Sequence, residues 1–166
     1  GYGYGNNTSI PFVRQFFAGG SNDIRAFAAR SLGPGSYKLP NQTNNYTDQS
    51  GDIKAMVNTE LRFKLFSVLY GALFADAGNV WLRKEDPLRP GSGFNFKDAL
   101  DEIAVGTGAG LRVDASIFVI RLDVAFPIRK PYLEPGNRWV IDQVDFGSST
   151  WRKENLIYNI GIGYPF

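Results

Sequence analysis

Cysteine and histidine are both missing from this chain of 166 residues. Without cysteine there is no disulfide framework, no thiolate nucleophile and no thiolate metal site. Without histidine the chain lacks the commonest acid/base group and metal ligand at neutral pH. The two gaps count against most enzyme classes, so a non-enzymatic function with no cofactor and no bound metal is expected. Charge of one sign is scarce too: 18 lysine and arginine residues stand against 16 aspartate and glutamate, a formal net charge of +2. That excess does not make a nucleic-acid surface. No run approaches the roughly eighteen apolar residues of a transmembrane helix. Residues 1–7, Gly-Tyr-Gly-Tyr-Gly-Asn-Asn, lack the charged and apolar regions of a signal peptide, and the chain is expected to begin partway through a larger unit.

What is present is glycine, aromatic residues and alternation. With 19 Gly, 8 Tyr, 13 Phe and 43% hydrophobic residues, the composition suits one compact domain. Residues 155–166 alternate without a break: Leu156, Tyr158, Ile160, Ile162, Tyr164 and Phe166 fall on one side of a strand, Asn155, Asn159, Gly161, Gly163 and Pro165 on the other. Residues 54–65 set Lys54, Asn58, Glu60, Arg62 and Lys64 against Ala55, Val57, Leu61, Phe63 and Leu65. Residues 68–82 carry a single acid, Asp76, among small and apolar residues. In 105–114 the glycines 106, 108 and 110 share a face with Arg112 and Asp114, which removes bulk from that face. Residues 116–126 set Phe118, Ile120, Leu122, Val124 and Phe126 against Arg121 and Asp123, and such mid-strand charges need a wet or paired environment. One face suits lipid and the other water, at the length a tilted strand needs to cross a bilayer. A mean hydropathy of -0.20 agrees, because half of each such strand faces a polar interior.

Short joins alternate with long ones. Segments 54–65 and 68–82 meet around Phe66 and Ser67, and 105–114 and 116–126 around Ala115, whereas 6–53, 83–104 and 127–154 are long and rich in Gly, Pro, Asn and Asp. Short turns on one side and long extracellular loops on the other describe an all-β, antiparallel transmembrane β-barrel. The smallest natural barrels have about eight strands, so these five form part of a larger sheet unless residues 1–17 and 138–147 add strands. Trp81, Trp139, Trp151 and Tyr132 lie near strand ends or in loops, where an interfacial girdle or a buried core would each place them.

Residues 14–35, Arg-Gln-Phe-Phe-Ala-Gly-Gly-Ser-Asn-Asp-Ile-Arg-Ala-Phe-Ala-Ala-Arg-Ser-Leu-Gly-Pro-Gly, resemble the long extracellular loop of the BamA/TamA outer-membrane insertase superfamily, also called the bacterial surface antigen family. In that family the loop reads Phe-Phe-Ala-Gly-Gly, then Val/Ile-Arg-Gly-Phe/Tyr, then Gly-Pro or Ser-Pro. Here the centre is Ile24-Arg25-Ala26-Phe27, with alanine where the family has glycine. Asn58 to Arg62 is similar to the strand after that loop, with its inward Glu60, and Phe74 to Trp81 is similar to the family's Asp-x-Gly-x-x-Trp strand through Asp76. Gly106 to Arg112, and Ile120-Arg121-Leu122-Asp123 with Pro127, resemble the next two strands. Asn159-x-Gly161-x-x-Tyr164-x-Phe166 is similar to the terminal signal of outer-membrane proteins. The matches fall in order over residues 11–166, and Ala26 with Ala29 to Tyr37 after it is most similar to TamA-like members of Bacteroidetes-type bacteria.

The resemblance implies the carboxy-terminal part of a sixteen-stranded barrel, with residues 6–53 as the long loop and 54–166 as the last five strands and their loops. It implies that the loop folds back into the lumen, that Arg25 faces Glu60 and Asp76, and that this contact braces the barrel. Without the motif, Arg25 reads as one more solvated loop cation. The terminal strand, marked by Asn159, Gly161, Gly163, Tyr164 and Phe166, is implied to be half of a weak lateral seam to which a client strand adds by β-augmentation. The competing reading is an ordinary closing strand whose small residues fit a crowded lumen. The implied function is assembly and insertion of proteins in the bacterial outer membrane. Its partners are the remainder of the barrel, client outer-membrane proteins, outer-membrane lipid and a periplasmic assembly factor. A two-partner secretion pore, which shares the loop motif, and a barrel that anchors a separate surface or enzymatic domain are the alternatives.

Weaker patterns carry less. Gly106-Thr-Gly-Ala-Gly precedes no helical pattern, which counts against a phosphate cradle. Asp142 with Asp145, and Asp101 with Glu102, read as solvated loop acids before calcium ligands. Arg129, Lys130, Arg152 and Lys153 flank the last long loop, where lipid phosphate or water would receive them. The glycosylation acceptors at Asn6, Asn41 and Asn45 mean little in a bacterial protein.

Overall fold

The computed structural model describes residues 11–38 and 49–163; Tyr164 and Phe166, like Asn6, Asn41 and Asn45, lie outside the described residues. Two short strands, β1 (Phe16–Phe17) and β2 (Ser50–Gly51), pair with each other near the two ends of the long loop. The main sheet follows in chain order as β3 (Ile53–Lys64), β4 (Leu69–Trp81), β5 (Ala104–Asp114), β6 (Val119–Arg129) and β7 (Ile157–Gly163). Each strand is antiparallel to its sequence neighbour, so the sheet is an up-and-down meander. Among the described residues it does not close, and β3 and β7 are its edges.

Period-two alternation carries directly into burial. Along β4, Phe74 and Asp76 are buried while Leu73 and Ala75, which alternate with them, are exposed. Cross-strand register keeps each face continuous: Glu60 lies opposite Phe74, Asp76 opposite Gly106, Gly110 opposite Asp123, and Asp123 opposite Asn159. The outer face is apolar and bare, with Val57 at 67%, Leu61 at 65% and Ile160 at 74% exposure. The core lies on the other side. Ala18, Ile24, Ala26, Phe27 and Leu32 of the long loop pack with Phe74, Val80, Ala104 and Ala125 of the strands, so the loop itself is the second layer of the fold.

Several boundaries differ from the alternation, the start of β7 among them, since Asn155 ends a short helix and the strand begins at Ile157. The fourth strand runs over 119–129 rather than 116–126, because residues 115–118 are spent on the turn. Asp114 accepts the Ser116 N–H at 2.9 Å, and the Ala115 N–H bonds to the Phe118 carbonyl at 2.9 Å. At its other end the strand continues through Pro127. The ladder shifts there, with Gly106 opposite Pro127 and Val105 opposite Arg129, and that bulge accommodates a residue with no N–H to donate. Residues 138–147 add no strand to the sheet; Trp139 makes a single bridge to Arg129, and a 3-10 turn covers Ile141–Gln143. A short helix, α1 (Ser149–Asn155), ends that connection, with the Ser148 hydroxyl accepting the Trp151 N–H at 3.3 Å as its N-cap.

The aromatic residues divide. Trp81 is buried under the 82–103 connection, edge-on to Phe94, with its indole N–H donating to Glu102 Oε2 at 2.7 Å. Tyr132 packs against the core cluster. Trp139 is more than half exposed, and Trp151 forms an edge-to-face triangle with Phe126 and Phe146. A girdle position therefore suits Trp139 and Trp151, whereas Trp81 and Tyr132 belong to the interior.

Candidate functional site

The centre of the molecule is a charged network between the long loop and the inner face of the sheet. Arg25 is 5% exposed and Asp76 fully buried. The guanidinium donates to both oxygens of Asp76 at 2.8 Å, and the Arg25 backbone N–H adds a third bond to the same carboxylate at 3.1 Å. This is the fork geometry that an arginine makes and a lysine does not. Its remaining nitrogen reaches Glu60 Oε2 at 2.6 Å, and the plane of the group rests 3.5 Å from the centre of the Phe74 ring. Asn58 completes the shell, donating at once to Asp76 Oδ1 at 2.8 Å and to the Asp23 carbonyl at 2.7 Å.

The network is wider than the motif residues. Arg112 of β5 donates to Glu60 at 2.8 Å and to Asp123 of β6 at 2.5 Å, and Arg62 donates to Glu60 at 2.7 Å. Three guanidinium groups thus stand among three carboxylates, contributed by the loop and by β3, β4, β5 and β6. Arg112 and Asp123 were missed as members, although polar residues of one parity in mid-strand were the available signal. Chemically the arrangement holds rather than reacts: each acid is engaged by a cation, and removing Arg25 from Asp76 leaves that carboxylate buried without a cation, at a cost of about 3–5 kcal/mol.

Glycine makes the approach possible. A Cβ on Gly106 would collide with the Ala26 methyl, so the loop's alanine occupies space that this glycine leaves empty. Backbone freedom is not what position 26 demands, since Ala26 does not have a positive φ. Gly110 likewise makes room for the Arg112–Asp123 pair. Ile24 and Phe27, on either side of the Arg25–Ala26 pair, are buried in the core cluster and anchor the motif by apolar contact.

The terminal strand touches this site at two points. Asn159 donates to the Arg25 carbonyl at 2.9 Å, which ties β7 to the loop. A Cβ on Gly161 would meet the Arg121 guanidinium at 2.9 Å, and Arg121 reaches past it to bond to Asn22 of the loop. Gly163 has no such neighbour.

The other singled-out groups are occupied locally. Arg129 binds the carbonyls of Leu100, Asp101 and Ile103 at 2.7–2.9 Å and so braces the 82–103 connection rather than facing lipid. Lys130 donates to Asn155 at 2.7 Å; burial first, and Lys38 second, lower its pKa. Arg152 binds the carbonyls of Phe146 and Gly147. Asp145 caps the Gly147 and Ser148 N–H groups. Among the described residues no three acidic side chains cluster so as to hold a metal ion.

An antiparallel sheet with a bare apolar outside, a charged inside and a long loop docked within is the wall of an outer-membrane β-barrel. No helix among the described residues is long and apolar enough to cross a membrane. Residues 1–150 match the Omp85 superfamily domain, and the chain belongs to that superfamily of the bacterial outer membrane. The outer membrane protein assembly factor BamA of Neisseria meningitidis serogroup B is 36% identical over 84 residues, which is 48% of this chain. The chain spans about a tenth of that relative's length, since the match covers 10% of it.

Proposed function

We propose that this chain is barrel wall from an outer-membrane protein assembly factor, a non-enzymatic protein that inserts other proteins into the bacterial outer membrane. The observation that carries the reading is the loop clamp: Arg25 is held by Asp76 and Glu60 against the inner face of a sheet whose relatives include an assembly factor. In this reading the clamp stiffens the wall on which a mobile edge hangs. That edge is β7, which among the described residues pairs only with β6 and shows Tyr158, Ile160 and Ile162 bare on its outer side. Gly161 and Gly163 give its inner side few contacts, and a client strand adds along it through backbone hydrogen bonds. Asn159 couples the two parts, and Tyr164 and Phe166 complete the terminal signal.

Reconstitution of the full-length protein into liposomes tests the reading, with client insertion followed by heat-modifiable gel mobility. Arg25→Ala is expected to remain folded and to lose most of the insertion rate. An Arg25→Ala protein that folds and inserts clients at the wild-type rate would overturn the clamp's role. Paired cysteines that lock β7 to the strand on its free edge are expected to stop insertion until reduced; insertion that continues in the locked state removes the seam.

A further inference from the structure

Toward the short turns, beyond the clamp, the inner face holds a cavity of about 520 Å³. That size is within the range of sites that take a small ligand or a few residues. Lys64, Tyr70, Val119, Arg121 and Ile162 line it from the turn ends of the strands, and Asn22 lines it from the loop. Charge counting separates it from the network above. Arg25, Arg62 and Arg112 are matched one for one by Glu60, Asp76 and Asp123. What is left at the cavity is Lys64 and Arg121 against Asp114, and Asp114 already accepts the Ser116 N–H at 2.9 Å. Among the described residues Arg121 bonds only to the neutral amide oxygen of Asn22. Neither the Lys64 ammonium nor the Tyr70 hydroxyl has a partner among the described residues.

We propose that this cavity binds an acidic polypeptide segment, one that presents an aspartate or glutamate carboxylate beside an apolar side chain. The Arg121 fork receives the carboxylate, Lys64 adds a second charge-assisted bond, and the Tyr70 hydroxyl donates a third. Val119 contacts the apolar neighbour. A polypeptide fits better than a lipid headgroup because the cavity lies on the face opposite the lipid-facing band, where an extended chain reaches it from the short-turn side and a phosphate anchored in the bilayer does not. The site requires only the docked loop and the inner face, so it stands or falls independently of the assembly reading.

The test uses the full-length protein in detergent micelles and a short fluorescent peptide of alternating glutamate and phenylalanine, with its glutamine counterpart and inorganic phosphate as comparisons. The glutamate peptide is expected to bind saturably and to weaken with added salt, while the glutamine peptide binds at least about tenfold more weakly. Lys64→Gln, at an exposed and unpaired position, is expected to keep heat-modifiable mobility and to weaken the glutamate peptide about tenfold, and Arg121→Gln to weaken it further. A photo-crosslinker replacing Val119 is expected to capture the glutamate peptide. Equal binding of the two peptides, unchanged affinity in a folded Lys64→Gln protein, or no capture at position 119 would each overturn the proposal. Displacement by inorganic phosphate at the same concentration as by free glutamate peptide would reduce the cavity to a general anion site and would also overturn it.

Discussion

The two faces of the sheet invert the usual rule of a folded protein. On the outer face Leu61, Leu73, Tyr158, Ile160 and Ile162 are 52–75% exposed. On the inner face Asp76, Arg112, Asp123 and Arg25 are at most 5% exposed. In water the first set would be a large adhesive patch and the second a costly burial of charge. In a bilayer the outer face is already in its solvent, and the inner charges are affordable because they satisfy one another. The two faces are therefore stabilised by different things: the outer one by lipid, whatever its detailed packing, the inner one by a specific set of partners.

That contrast is breakable at particular residues. The largest effect is expected on the inner face, where Arg25→Ala leaves buried Asp76 without its guanidinium and Glu60 without one of its three cations, and costs about 3–5 kcal/mol in unfolding from liposomes by denaturant. Leu73→Arg, in the middle of β4 on the outer face, is expected to cost about 2–4 kcal/mol in the same measurement. A cost near zero would show that this face does not meet lipid. Smaller still, Gly106→Ala forces a second methyl onto that of Ala26 and is expected to cost about 1–3 kcal/mol. Adding Ala26→Gly should recover most of the loss, and a double variant no better than Gly106→Ala would mean that the two side chains do not compete for one space.

The smallest effect lies outside the membrane-spanning strands. Glu102 is buried beside Trp81, and desolvation raises its pKa against the opposing pull of the indole N–H. A carboxyl with a raised folded pKa binds its proton more tightly in the folded state. Its contribution is therefore complete below the ordinary carboxylate range and is lost as pH rises through the raised value. Stability of the wild type should fall with pH just above the ordinary carboxylate range, and Glu102→Gln should flatten that part of the profile.

Much of the fold was legible because β-structure writes its faces into the sequence with a period of two. The parity of Asn58, Glu60, Asp76, Arg112 and Asp123 told which side of each strand they occupy. Ends were less legible: nothing in the alternation announced that Asp114 would spend residues 115–118 on a turn, or that a bulge would carry β6 through Pro127. Helix α1 spans only Ser149–Asn155, too few residues for a helical period to stand out. The reach of the site was the least legible part. Parity places Arg112 and Asp123 on a face without naming their partners, and the pairing of Arg121 with Asn22 joins residues 99 apart in the chain.

By itself, then, the sequence determined the class of protein: strands with one apolar and one polar face, short and long joins in alternation, and an arginine-centred loop motif. Only the tertiary structure decided that Ala26 sits on Gly106, that Arg121 crosses Gly161, and that three guanidinium groups share three carboxylates. The physical reason is range. Alternation is a local property of an extended backbone, whereas strand register and the docking of a loop are long-range events, settled by which side chains leave room for one another and which charges remain to be matched.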